Sequence, residues 1–314
     1  MSLAGRIFLH SFHQPWGRLR DLWLDGGPRQ RRLTEAGRLA MLAAASQLPA
    51  IQPPTDPAAP EIELQLLTGQ RYWFQTAFLL TSLAPHARIR ATLHDDGTLA
   101  GTPALQSLLR IAPGSRLEPI VETEARLDAT LPRSRFPALR SRRDDLVLMR
   151  KLLDVHVGRT GWRLFLDSDM LFLARPSLLL ELDRSRARPL HMTDVDNAYG
   201  YPVAELDRLA GHPVPRRVNT GLLGLRSETI DWDDLERVCA ELNRRPHYFQ
   251  EQALFAHILS RQDPLALPAA DYRVLPDRTE TLHPRAVLHH FVAHSKRGYY
   301  QLTWHRFAAS PTTS

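Results

Sequence analysis

The chain has 314 residues, room for one large domain or two small ones around an ample core. Its 43% hydrophobic and 24% charged content is that of an ordinary soluble globular protein, and no apolar run is long enough to span a bilayer. The net charge of +6 suits anionic ligands such as nucleotides; no stripe of basic residues interleaved with aromatics argues for nucleic acid.

The first residues, MSLAGRIFLHSFHQPWGR, lack the apolar core and cleavage site of a signal peptide. Cys239 is the only cysteine, so no internal disulfide can form, and a reducing cytoplasm is the expected compartment. The basic residues are all arginine except Lys151 and Lys296. An ammonium and a guanidinium do not interchange freely at a phosphate or acid–base site, so these two positions stand out.

In chain order, residues 1–57 read as a helical N-terminal extension and proline-rich linker, and 58–310 as the main domain. Thr34-Glu35 opens a helical stretch that Pro49 ends, and QPPTDPAAPE (52–61) is an extended, stiff connector. IELQLL (62–67) is a strand, followed by a helix from Arg71 to Leu83. RIRATL (88–93) is a second strand ending in His94-Asp95-Asp96-Gly97, Pro103–Arg110 a short helix, and Arg116–Val121 a third strand. One helix is expected from Pro137 to Val157, carrying Lys151 into the strand Trp162–Leu166. Strands alternating with helices imply parallel pairing and an α/β fold.

Trp162–Leu166 is a short apolar run, the pattern of a strand buried on both faces in a parallel sheet. It ends in Asp167-Ser168-Asp169, and the chain is apolar again at once. The carboxyl ends of strands line the ligand crevice of an open α/β sheet. Two carboxylates two residues apart there can share a hard divalent cation, Mg²⁺ or Mn²⁺, which takes further ligands from substrate phosphates.

The second half is less regular. Pro189–Thr193 and Val218–Leu225 read as strands, Ile230–Asn243 and Tyr248–Leu259 as helices, and Tyr272–Leu275 as a short strand. VLHHFVAHSKRGYYQLTW near the end reads as a strand followed by a loop. Leu127–Pro137 and Asp194–Arg217 are candidate mobile lids, and the Thr-Thr-Ser tail is expected to fray.

Taken in order, four pieces resemble the GT-A-fold glycosyltransferases over roughly residues 62–305. They are the strand with Asp-x-Asp, Val218-Asn219-Thr220-Gly221, Glu251-Gln252 on a helix, and His290-Phe291 with Lys296. Within that group they are most similar to the family 8-like enzymes, which include glycogenin and bacterial lipopolysaccharide galactosyltransferases. That family carries His-Phe-x-Gly-x-x-Lys-Pro-Trp; here Ala293 replaces the Gly, and Arg297-Gly298 the Pro-Trp.

The resemblance implies a mostly parallel, Rossmann-like sheet flanked by helices. It also implies a metal held by Asp167, Asp169 and His290, although His289 and His294 lie close to the last of these in sequence. Thr68, Tyr72, Lys151, Asp167 and Lys296 would bind a nucleotide-sugar donor, UDP-linked by default. Asn219, Glu251 and Gln252 would face the sugar, and transfer to a glycan, lipid-linked or protein hydroxyl would retain anomeric configuration. An inverting enzyme would instead need a general base such as Glu251 or Asp194. Two alternatives stand beside this reading: a haloacid-dehalogenase-type phosphatase, and a non-catalytic GT-A-like domain that binds nucleotide or carbohydrate. The phosphatase motif normally has Thr or Val two places after the second Asp, where this chain has Leu171.

Overall fold

The computed structural model describes residues 26–308. The expectations for the first residues and for the C-terminal tail fall outside them. Seven strands form the main sheet in the order β3-β2-β1-β4-β7-β6-β8. These are β1 (Glu61–Thr68), β2 (Arg88–Asp95), β3 (Arg116–Leu117), β4 (Trp162–Leu166), β6 (Leu190–Thr193), β7 (Val218–Arg226) and β8 (Leu265–Ala266). Pairs β1/β2, β2/β3, β1/β4 and β6/β8 are parallel, whereas β7 runs antiparallel to both β4 and β6. A second sheet has the order β5-β10-β9, from Met170–Phe172, Leu288–His290 and Tyr272–Val274.

The abrupt return to apolar residues after Asp169 is thereby explained. β4 belongs to the main sheet and β5 to the small one, so Asp167-Ser168-Asp169 is the joint between two sheets. Hydrogen bonds hold both sides of the joint: Asp167 N–H donates to Gly221 O at 2.6 Å, and Phe291 N–H to Asp169 O at 2.9 Å.

Helices cover both faces. α1 (Gly27–Gln47), α2 (Trp73–Leu83) and α3 (Pro103–Ile111) share one core with the small sheet. α4 (Ile120–Thr130), α5 (Pro137–Asp145), α6 (Arg150–His156), α8 (Val203–Ala210), α9 (Trp232–Leu242) and α10 (Gln250–Ser260) share the other. Alternation along β7 shows the two faces directly, with Leu222 in the first core and Leu223 and Leu225 in the second. Three short helices complete the set: α7 (Ser177–Leu180), α11 (Arg278–Leu282) and α12 (Lys296–Gln301). Among the described residues, no helix is long and apolar enough to cross a membrane.

Several boundaries differ from the sequence reading. The expected helix 137–157 is broken: α5 stops at Asp145, Leu146 is extended (φ −129°, ψ 105°), and α6 begins at Arg150. Two acids, Asp144 and Asp145, lie at the negative end of α5, where they disfavour its continuation. The expected strand 116–121 ends at Leu117, because Pro119 and Glu122 suit the start of α4. α1 starts at Gly27, with Pro28 in its first turn, rather than at Thr34. Met41 and Ala45 on α1 are buried, while Leu33 and Leu39 stay outside. The segment after β10 is helical: Lys296 is the first residue of α12 and does not sit in a loop.

Candidate active site

The site is built at the sheet joint. His290 ends β10 and pairs across to Met170, which points its ring toward the carboxylates. His290 Nε2 lies 3.6 Å from Asp167 Oδ2 and 3.3 Å from Asp169 Oδ1. Among the described residues this is a group able to hold a metal ion, with its three ligand atoms all within 4.8 Å of one another. The two other histidines fall away. His289, on the opposite side of the strand, bonds Glu280 Oε1 at 3.0 Å, and His294 is exposed.

The fit to a divalent cation rests on the imidazole. Asn219 Nδ2 donates to Asp194 Oδ2 at 2.9 Å, while Asn219 Oδ1 accepts the Gly221 N–H at 3.0 Å. Those two bonds fix the amide, so at 3.1 Å His290 Nδ1 must donate to the same Oδ1. The lone pair then lies on Nε2, which is buried without a hydrogen-bond partner and faces two carboxylates. A buried polar atom left this way is costly unless something binds it, and one imidazole nitrogen with two carboxylate oxygens suits a divalent cation.

Each carboxylate also has its own ammonium. Lys151 Nζ, on α6, is 2.5 Å from Asp167 Oδ1, and Lys296 Nζ is 3.2 Å from Asp169 Oδ2. Burial alone would lower both ammonium pKa values. Asp167 with Glu251 overcomes it for Lys151, and Asp169 with Tyr300 raises Lys296 to about 12. Burial would likewise raise Asp169, but the Lys296 ammonium holds it below the ordinary carboxylate range. Both lysines are therefore charged at neutral pH and can meet further anionic charge.

Glu251 and Gln252 open α10 beside this group. Glu251 is buried; its Oε2 accepts from Thr220 Oγ1 at 3.1 Å, and its Oε1 has no partner. Burial raises its pKa to about 7, against the opposing pull of Lys151. Gln252 Nε2 donates to Ala198 O at 2.8 Å and to Asp194 Oδ2 at 3.3 Å. Asp194 thus ties Asn219 to Gln252.

Tyr72 reaches the site through its ring, whose centroid is 5.9 Å from Lys296 Nζ. Thr68 makes no contact with the metal-ligating group; it is buried at the end of β1, bonded to Thr76 Oγ1 at 2.8 Å. Asp95 is engaged by turn chemistry, since its carboxylate accepts the N–H groups of Gly97, Thr98, Leu99 and Ala100.

The sequence reading missed Gln75. It is buried on α2, accepts from Ser168 Oγ at 3.3 Å, and donates from Nε2 to the Tyr300 hydroxyl. A lone glutamine in the largely apolar stretch WFQTAFLLTSL was the available signal. Ala293, where the resemblance has Gly, adopts φ +45°, the left-handed conformation that glycine takes easily.

No protein-family model matches the sequence, and no curated protein is significantly similar to it. Similarity in structure is found. The chain is similar to the galactosyltransferase LgtC, solved in complex with donor and acceptor sugar analogues. The TM-score is 0.53 at 12% identity, covering 81% of this chain and 97% of that one. It is also similar to the WbbM bifunctional glycosyltransferase in its apo structure. There the TM-score is 0.51 at 13% identity over 83% of this chain, which spans 51% of that protein. The fold is GT-A, as the sequence resemblance implied, and it does not favour the phosphatase alternative.

Proposed function

We propose that the chain is a metal-dependent glycosyltransferase, moving a sugar from a nucleotide-diphosphate sugar to a hydroxyl of a glycan, lipid-linked or protein acceptor. UDP is the default nucleotide, and the configuration at the anomeric carbon is retained. The observation that carries this reading is the group Asp167, Asp169 and His290 at the end of β4, flanked by the Lys151 and Lys296 ammoniums. A fold alone would not license it.

In this reading Asp167, Asp169 and His290 hold Mn²⁺ or Mg²⁺, which when bound supplies positive charge to the donor diphosphate and the leaving nucleoside diphosphate. Lys296 and Lys151 add fixed positive charge on either side, and their raised pKa values keep them protonated at neutral pH. Thr68 and Tyr72 flank the base. Asn219 faces the sugar while orienting His290. With a pKa of about 7, Glu251 is partly protonated at neutral pH, so it can both donate to and accept from sugar hydroxyls. Gln252 stands near the anomeric carbon. Asp194 is committed to two side-chain amides, which makes it a poor general base and favours retention over an inverting route through that residue.

The test is calorimetry of a panel of nucleoside diphosphates, with Mn²⁺ and with chelator, on the wild type and on Asp169→Ala. Metal-dependent binding of one diphosphate that is lost in the variant supports the proposal and names the base. Folded protein that binds none of them overturns it.

A further inference from the structure

Helix α1 precedes the strand–helix alternation of the GT-A fold, yet it forms part of the wall beside the metal-ligating group. Gly37 sets its approach: a Cβ there would overlap the Tyr300 carbonyl, so α1 and α12 meet backbone to backbone. Two side-chain bonds complete the contact. Gln30 Nε2 donates to Gln301 Oε1 at 2.8 Å, and Gln301 Nε2 donates to Thr34 Oγ1 at 2.9 Å.

Between the two helices lies a cavity of about 360 Å³, lined by Arg31, Thr34 and Glu35 of α1 and by Ala293, Lys296 and Arg297. Three cations and one carboxylate line it, and that carboxylate is occupied: Glu35 accepts two hydrogen bonds from Arg38, at 2.7 and 2.9 Å. Among the described residues, Arg31 and Arg297 make no ion pair. Lys296 belongs to both places, since its Nζ is 3.2 Å from Asp169 Oδ2. Arg31 and Arg297, two cations lining one cavity with no carboxylate of their own, repel each other, and an anion between them removes that cost.

We propose that this cavity is an anion subsite for a phosphate group, with Arg31 and Arg297 as its binding cations and Lys296 joining it to the metal group. Guanidinium forks match phosphate oxygens in pairs, which a lysine does not do. The phosphate has two sources with the same chemistry, the diphosphate of the donor or a phosphate carried by the acceptor. Only the first of these rests on the donor reading above.

The experiment is calorimetry at low salt with two probes, inorganic pyrophosphate without metal, and UDP and GDP with Mn²⁺. It uses the wild type, the double variant Arg31→Gln/Arg297→Gln, and Arg32→Gln, an exposed arginine next in sequence and outside the cavity lining, as a control for lost charge. The subsite requires that pyrophosphate bind the wild type, that the double variant weaken it about tenfold or more, and that Arg32→Gln leave it nearly unchanged. If nucleotide affinity falls with pyrophosphate affinity in the double variant, the phosphate is the donor's. If nucleotide affinity holds while pyrophosphate affinity falls, it is the acceptor's. No pyrophosphate binding to the wild type, equal binding to the double variant, or an equal loss in Arg32→Gln overturns the proposal. Failure of the donor reading shows separately, as the absence of nucleotide binding to the wild type whatever pyrophosphate does.

Discussion

Asn219 orients His290: its Oδ1 takes the Nδ1–H of the imidazole at 3.1 Å and leaves Nε2 facing Asp167 and Asp169. Partners of this kind set both the tautomer and the ring orientation of a metal-ligating histidine. Asn219→Leu should therefore lower Mn²⁺ affinity about 10- to 100-fold, read by titrating Mn²⁺ into the protein. A change within about twofold would remove Asn219 from this role.

Gly221 packs under the same ring. A Cβ at this position would overlap His290 Cε1 and the Met170 methyl. Gly221→Ala should displace the imidazole and abolish Mn²⁺ binding, at a cost of about 1–3 kcal/mol in stability from overpacking. Melting curves with and without Mn²⁺ check it: the wild type should gain Tm with metal, and the variant should not.

Glu251 makes stability depend on pH in an uncommon direction. Its folded pKa is raised from 4.5 to about 7, so between those values the folded chain binds more protons than the unfolded one. Its contribution is full below about 4.5 and is lost as pH rises through about 7. Glu251→Gln should flatten the fall in Tm between pH 5 and pH 7. An unchanged slope would show that Glu251 ionises normally in the folded protein.

Gln75 links the Asp167-Ser168-Asp169 joint to α12 through Ser168 and the Tyr300 hydroxyl. Removing either end of the Ser168 bond should loosen the joint in the same way. Gln75→Leu and Ser168→Ala should each weaken Mn²⁺ binding several-fold, and the double variant should be no worse than the stronger single one. Additive losses in the double-mutant cycle would show that the two side chains act independently.

Much of the fold was legible because β1 and β2 alternate apolar with polar residues, and β4 is a short, largely apolar run, all between clear turn signals. The antiparallel course of β7 was not, since pairing direction leaves no trace in a strand buried on both faces. Asp167 and Asp169 could be read from their place after β4, and His290 from its neighbours Phe291 and Lys296. The choice between His289 and His290 depends on the register of β10 against β5, which local sequence does not encode. Gln75 and Asp194 act through contacts between residues far apart in the chain, and α1's approach to α12 turns on one glycine. In each of these cases tertiary packing decided, and local pattern gave at most a hint.

Two of the candidate ligand positions lie together at 167 and 169, the third lies far along the chain at 290, and the ammonium on Asp169 comes from 296. During synthesis both acids leave the ribosome long before the imidazole that completes the set. Until β10 adds to the edge of β5, Asp167 and Asp169 have Lys151 as their neighbour but neither His290 nor Lys296. The nascent protein therefore carries an acidic pair with little hold on a cation, and it becomes competent for metal only as its final sheet closes. Premature termination between β8 and β10 would yield a chain with its main-sheet strands and none of this site's closure.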